Sequence, residues 1–393
     1  MKIPSKLIAI PFAALILTTF SAFAAVDPAA SVILLRTSCN DGAGGTLNNC
    51  FTKTGLVRNY IYAQRADKTA KLLIDIGPGT FDTFFPSPDC QTVGGGTLTF
   101  RGAGVETTVL ASVVHLGCVN SKWAFEDMTI RNTAMANTVV WNGGGESTWT
   151  NVVIGPGGVS ESTWYDAADT DNTPCAPGLQ GIHRFFSSRI IGSKSTAFRS
   201  ACGDNWFWGS EIVLITFPNS TNVSAIRSTG VGNRIHLYGS NVRVEASPSA
   251  TSLTSITAIT VSNGAELHAH GVGIDAIGKA GTSVTALDAS SDGKIHANAS
   301  SYFLRTGAGG TVTRINNHGE TGHVHAPYLW EHIPDTDGNP STVDTNFVSI
   351  NGVDQTTVRT GTLDGHPHPA IYSTSCGSTA RWYDTVDKVC RSK

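Results

Sequence analysis

Apolar and polar positions alternate in short runs separated by glycine-serine corners, most regularly over residues 224–245, 257–275 and 285–298, with a related unit at 196–211. The unit recurs every 28 to 33 residues. Strict alternation predicts half-buried β-strands. A repeat of this length predicts a solenoid, because one unit cannot bury its apolar face without a neighbour stacked on it. Aligning the units on their glycines puts Ile235, Leu267 and Ile295 in one column and Leu237, Ala269 and Ala297 in another. These columns are predicted to face inward. The positions between them then face outward and form two further columns: Arg184, Trp206, His236, His268 and His296, and beside it Phe186, Trp208, Tyr238, His270 and Asn298.

The ends of the chain read differently. Lys2 and Lys6 precede an apolar run over residues 7–20, and Ala22-Phe23-Ala24 forms an A-x-A cleavage site. Residues 1–24 are therefore expected to be a signal peptide. The expected mature protein is secreted or periplasmic, with no membrane span after cleavage. Residues 25–71 are expected to form an N-terminal cap, with a first strand at 31–35 and a loose helical or irregular stretch over 46–71. Such a cap covers the open sheet edge at the end of a solenoid. Residues 72–317 carry the repeat, broken at 155–181 by an acidic insertion. Residues 318–393 hold six of the 12 histidines and read as a small C-terminal module clasped by Cys376 and Cys390.

Within the repeat, Leu72-Leu-Ile-Asp-Ile-Gly-Pro-Gly-Thr-Phe81 is followed by Gly96-Thr-Leu-Thr-Phe-Arg-Gly-Ala-Gly-Val-Glu-Thr-Thr-Val-Leu110. This succession, an I-x-I-x-P-G-T-[FY] strand and then L-x-[FL]-x-G-x-G, resembles the opening rungs of the pectin-lyase-like family of right-handed parallel β-helices. The later repeats extend the resemblance to about residue 305. It implies an all-β, right-handed, single-stranded parallel β-helix, capped at the N-terminus and followed by the C-terminal module. The family contains lyases, hydrolases, esterases and phage or surface adhesins. The paired-Asp, G-H-G and R-x-K signatures of its polygalacturonase branch are missing here, as are the pectinesterase signatures and a pectate-lyase calcium-and-arginine motif. The resemblance therefore implies a fold and names no activity.

Composition narrows the partners. The formal charge is −3, and more negative once Lys2 and Lys6 are removed, which argues against a nucleic-acid partner. All 8 cysteines lie beyond the leader and no C-x-x-C occurs, so an exported, disulfide-bonded chain is expected. Pairing by sequence proximity would join Cys39 to Cys50, Cys90 to Cys118, Cys175 to Cys202 and Cys376 to Cys390.

The outward aromatic and histidine columns carry the main functional expectation. Sugar rings present apolar C–H faces to aromatic side chains and hydroxyls to polar ones. The strip is thus a candidate groove for an acidic polysaccharide, with Trp206, Trp208, Tyr238, His270, His296 and Arg243 as substrate-binding residues. If the protein cleaves by β-elimination, it needs a cation against the uronate carboxylate and a base for the C5 proton. Arg184, His236 and His268 are the candidates. The alternative is a non-catalytic surface, adhesive or structural β-helix whose strip is covered, contacts a partner or self-associates into an oligomer.

Other candidate chemistry is weaker. Arg243 and Asp275 are expected to stack on neighbouring rungs, where an exposed ion pair is the plain interpretation. Glycoside hydrolysis needs two facing carboxyl groups. Glu211 with Asp204 is the best pair, and Glu126 with adjacent Asp127 should point to opposite faces. Asp166, Asp169 and Asp171 could hold Ca²⁺ through oxygen ligands, although the fold requires no cofactor. His323 with His325, and His366 with His368, have metal-ligand spacing, which Pro367 and Pro369 interrupt in the second pair. No G-x-S-x-G occurs, so no nucleophilic triad is legible.

Overall fold

The computed structural model describes residues 27–39, 49–64, 66–67, 69–84, 97–116, 122–131, 139–142, 145–155, 162–167, 181–193, 195–216, 220–317, 323–331, 348–350, 353–355, 381–384 and 389–392. The expected signal peptide lies outside them.

The chain is an all-β parallel solenoid. One coil shows the plan: Arg234–Tyr238, then Asn241–Glu245, then Ser255–Ser262, after which Glu266–His270 begins the next coil. Each strand pairs in parallel with its counterpart one coil later: Arg234–Tyr238 with Glu266–His270, Asn241–Glu245 with Gly273–Ile277, and Ser255–Ser262 with Ser283–Ser290. Three faces result. Lys122–Ile130, Gly145–Ile154 and Lys294–Arg305 run across the corner between the first two faces and join them into one 20-stranded sheet. The third face is a separate sheet of 8 strands.

The short corner between the first two faces explains the recurring glycines and serines. Its first residue takes positive φ in successive coils: Asp127 at 53°, Asn151 at 51°, Ser187 at 46°, Gly209 at 54°, Gly239 at 53° and Gly271 at 60°. Left-handed backbone is tolerated by Gly, Asn and Asp far better than by branched residues. In three consecutive coils the next residue is a serine, Ser188, Ser210 and Ser240, and these stack. Each hydroxyl accepts a backbone N–H from the preceding coil, from Val152, Ser188 and Ser210 respectively, at 3.2 Å. Each also donates to carbonyls, as Ser210 does to Phe185 and Trp208. The buried backbone groups that a sharp corner strands are thereby satisfied.

The predicted inward columns are all buried. Ile235, Leu267, Ile295, Leu237, Ala269 and Ala297 are each 0% exposed. Toward the N-terminus the second column becomes aromatic: Phe100, Phe125, Trp149, Phe185 and Phe207 occupy consecutive coils in register. Polar residues also enter the core. The hydroxyl of Ser147 lies 2.7 Å from His183 Nδ1 and accepts the Trp149 indole N–H at 2.7 Å. Asn233 donates to Ser228 and to the Ser200 carbonyl, the Ser200 hydroxyl donates to Asn233, and Asn205 donates to Ser200.

At the N-terminal end, Val32–Leu35 pairs in parallel with Leu72–Ile76. Between these strands the helix Thr54–Asn59 continues into a π-helical turn, Tyr60–Gln64. Val57, Tyr60 and Ile61 are buried there, and the Tyr60 hydroxyl reaches the carbonyls of Asp27 and Ala30. Cys39 is disulfide-bonded to Cys50, as sequence proximity suggests. Cys202 is also disulfide-bonded; the other proposed pairings lie outside the described residues.

Two features depart from the sequence expectation. The insertion at 155–181 is not irregular throughout, because Ser162–Ala167 is a regular strand of the third face, paired with Val139–Asn142 and Thr196–Ser200. Parallel pairing also continues past residue 318, where His323–Glu331 adds to Lys294–Arg305. The last described element is an antiparallel hairpin of Arg381–Asp384 and Val389–Ser392.

Candidate functional site

The outer surface of the first face carries three parallel columns. The first two are those expected. Arg184 pairs with Trp206, Trp206 with His236, His236 with His268, and His268 with His296. Phe186, Trp208, Tyr238, His270 and Asn298 follow in the same way. The third is a charged column at the strand starts: Lys122, Glu146, Ile182, Asp204, Arg234, Glu266 and Lys294. This column was not foreseen as a unit. Its signal was available, since Arg234, Glu266 and Lys294 each stand one residue before an inward aliphatic.

The ring planes are nearly parallel from coil to coil. Phe186 and Trp208 lie 4.7 Å apart at 6°, and Trp206 and His236 lie 3.8 Å apart at 7°. His236 to His268 and His268 to His296 are each 4.8 Å, and Tyr238 to His270 is 5.2 Å. Rings stacked along the axis cover one another's faces and turn their edges outward. The strip therefore offers N–H, ring nitrogen and phenol groups to a ligand, rather than the open aromatic faces expected from the sequence.

Its charges are largely paired. Glu146 lies 3.0 Å from Arg184 and 3.8 Å from Lys122. Glu266 lies 2.9 Å from Lys294, 3.4 Å from Arg234 and 3.7 Å from His268 Nε2. The Lys294 hydrogen bond holds the Glu266 carboxyl below the usual range, against its partial burial and with help from Arg234 and His268. Asp204 Oδ1 lies 2.9 Å from His236 Nε2, and neither atom has another hydrogen-bond partner among the described residues. Burial pushes the Asp204 carboxyl up, but His236, the Trp206 side chain and Arg234 outweigh it and hold it below its ordinary value. His268 is held below the usual imidazole value by burial and by the charges of His236 and His296, which Glu266 only partly opposes.

The candidate catalytic residues differ in accessibility. His236 is only 9% exposed, sandwiched between Trp206 and His268 and turned to Asp204. Arg184 is half-buried and held by Glu146. His268 is also partly buried, with its Nε2 3.7 Å from Glu266.

Of the expected binding residues, Trp206, Trp208, Tyr238, His270 and His296 share this face. Arg243 does not: it lies on the second face, beyond the Gly239-Ser240 corner. It pairs in register with Asp275, as expected, but its guanidinium lies 2.6 Å from Glu245. Burial raises the Asp275 carboxyl, Arg243 opposes this, and Glu211 adds to it.

Neither carboxylate pair forms a hydrolytic site. Asp204 faces His236 on the first face, whereas Glu211 lies 2.7 Å from Arg189 on the second. Glu126 lies 2.8 Å from Arg101, and Asp127 is a positive-φ corner residue that accepts from Asn151. Asp166 is on the strand Ser162–Ala167, while Asp169 and Asp171 lie outside the described residues. His323 and His325 lie on His323–Glu331, where His325 pairs with His296; His366 and His368 lie outside the described residues. Among the described residues no three His, Cys, Asp or Glu side chains converge on a metal-sized site, and no helix is long and apolar enough to cross a membrane.

No protein-family model matches this chain, and a search of curated proteins finds no match.

Proposed function

We propose that this chain is an exported, right-handed β-helix of the pectin-lyase-like kind that binds an acidic polysaccharide along the outer strip of its first face. One observation carries this. Ring and charged side chains keep a single register through successive coils from Arg184 to His296, so equivalent polar edges repeat along the axis at the rung spacing of about 4.8 Å. A linear polymer lying along the axis meets a ring or a charged side chain in the same position at each rung.

In this reading Trp206, Trp208, Tyr238, His268, His270 and His296 contact sugar through ring edges and hydrogen bonds. Arg184, Arg234 and Lys294 supply positive charge that a uronate shares with Glu146 and Glu266. Binding is favoured over turnover, because elimination needs an open base beside an unengaged cation. His236 is closed against Asp204, and Arg184 is held by Glu146. Neither Ca²⁺ nor another cofactor is required, and Arg243 has no part in the site.

A specific observation favours a second reading, a structural β-helix. The stacked rings satisfy one another's faces, so the strip is complete without a ligand. Retention on immobilised polyuronate separates the two. Glycan binding predicts retention lost in Trp208→Ala with the fold intact; a purely structural strip predicts no retention of the parent protein. A rise in the ultraviolet absorbance of unsaturated uronate, abolished in His268→Ala, would overturn the non-catalytic assignment.

A further inference from the structure

Resting on the glycan-binding reading, we infer that the imidazole column makes the strip an acid-activated receptor: it binds carboxylate-bearing glycans when His268, at the centre of the column, takes up a proton and releases them when that proton is lost. The three rings occupy consecutive coils, 4.8 Å apart and within 10° of parallel. His270 stands in the neighbouring column, stacked on Tyr238 at 5.2 Å. His323 and His325 follow Lys294 and His296 in register on the next coil.

The fixed charges around the column are already balanced. Asp204 and Glu266 stand among Arg234 and Lys294 at the strand starts, with Glu146 against Arg184 and Lys122 further up. Glu266 is shared by two cations before any imidazole is charged. A proton added at His268 therefore meets Glu266, 3.7 Å away, as a counter-charge that Lys294 and Arg234 already share.

Burial opposes charging, and neighbouring imidazolium rings repel one another; both hold His268 below the ordinary imidazole value. Uronate carboxyls, by contrast, stay ionised down to about pH 4. Across the mildly acidic range the ligand keeps its charge while the site gains one, so affinity rises as pH falls. By linkage, an anion that relieves the repulsion must also draw protons onto the column.

The test is titration calorimetry of the full mature chain with a polyuronate and with a neutral glucan of matched length, at about pH 7.5 and about pH 5.5. Polyuronate affinity should rise roughly threefold to tenfold at the lower pH, the scale of one or two exposed charge pairs. Glucan affinity should not follow it. Near pH 6, enthalpies in two buffers of different ionisation heat should reveal net proton uptake on polyuronate binding, and His268→Gln should reduce that uptake and flatten the pH dependence.

Equal polyuronate affinity at both pH values without proton uptake overturns acid activation and leaves glycan binding standing. No binding of either polymer at either pH overturns both. Proton uptake unchanged in His268→Gln places the titrating group elsewhere and overturns the assignment to this column. Should that variant fail to fold, imidazole proton resonances of the parent protein provide the measure: their midpoints should move upward with polyuronate, and unmoved midpoints overturn the inference.

Discussion

Two ring ladders run through this protein, one inside and one outside, overlapping on the strands Gly181–Phe186 and Gly203–Trp208. The inner ladder stacks Phe100, Phe125, Trp149, Phe185 and Phe207 at 4.2 to 6.0 Å, tilted by no more than 14°. The outer ladder has the same geometry at Phe186–Trp208, Trp206–His236 and His236–His268. Parallel in-register pairing alone sets this spacing, so stacking says nothing about role. The surroundings distinguish the two. Inside, the rings are buried in the core, against Phe198 and, at Trp149, the Ser147 hydroxyl. Outside, the edges carry titratable and hydrogen-bonding groups and meet solvent.

The largest effect expected from breaking this equivalence is in the inner ladder. Phe185 is fully buried between Trp149 and Phe207, with Phe198 edge-on at 6.0 Å. Phe185→Ala should cost about 3–5 kcal/mol, as removal of a large core side chain does. Denaturant unfolding followed by tryptophan fluorescence reads this through Trp149. A loss under 1 kcal/mol would mean that the coils relax around the gap.

Next comes the buried polar cluster at the third-face corner. Asn233 is 0% exposed, donates to Ser228 and accepts from Ser200. Asn233→Ala removes the acceptor of the Ser200 hydroxyl and a donor to Ser228, and Asn233→Leu also introduces bulk. The alanine variant should lose about 1–3 kcal/mol, the cost of leaving buried polar groups unpaired. A stability equal to the parent protein's would show that these hydroxyls find other acceptors.

Much of this arrangement was legible in the sequence, for a definite reason. Glycines mark the same corner in successive units, so counting from Gly239 and Gly271 places Ile235 beside Leu267 and His236 beside His268. Counting does not give ring orientation. Whether Trp206 shows a face or an edge depends on the neighbouring ring that fills its side, and His236 fills it. Nor does counting reveal that Asp204, two residues before Trp206, faces an imidazole on the next coil; its apparent partner in the sequence was Glu211. The strand Ser162–Ala167 was hidden because its acidic, glycine-rich flanks obscure the alternation. His183 and Asn205 were readable in principle, since both fall in the inward column of Ile235, where a polar side chain must find an internal partner.

The pH dependence of stability sharpens the comparison further, because only the outer ladder titrates. His268 has a folded value below its ordinary one of about 6.5, so the unfolded chain binds the proton more readily and stability falls as pH drops below that value. Asp204 is depressed too; its stabilisation is present above the unfolded value of about 3.9 and is lost as pH falls through its lower folded value. Thermal melts against pH should therefore decline in two windows. His268→Gln should flatten the upper one and Asp204→Asn the lower. A single decline, common to both variants, would show that neither side chain governs acid stability.

The smallest effect should come from the charged column. Lys294 is 45% exposed on its side chain and lies 2.9 Å from Glu266, which Arg234 still approaches at 3.4 Å after its removal. An exposed pair of this kind contributes about 0–1 kcal/mol, and a second cation on the same carboxylate reduces the loss. Lys294→Ala should thus change the melting temperature by no more than a few degrees, and less in high salt, where exposed charges are screened. The polyuronate affinity of the same variant should fall more than its stability does, because Glu266 keeps Arg234 while the ligand loses a fixed positive charge of the column. If stability and affinity fell together, the column would be part of the scaffold, and the distinction between an inner structural ladder and an outer recognition surface would fail at its charged edge.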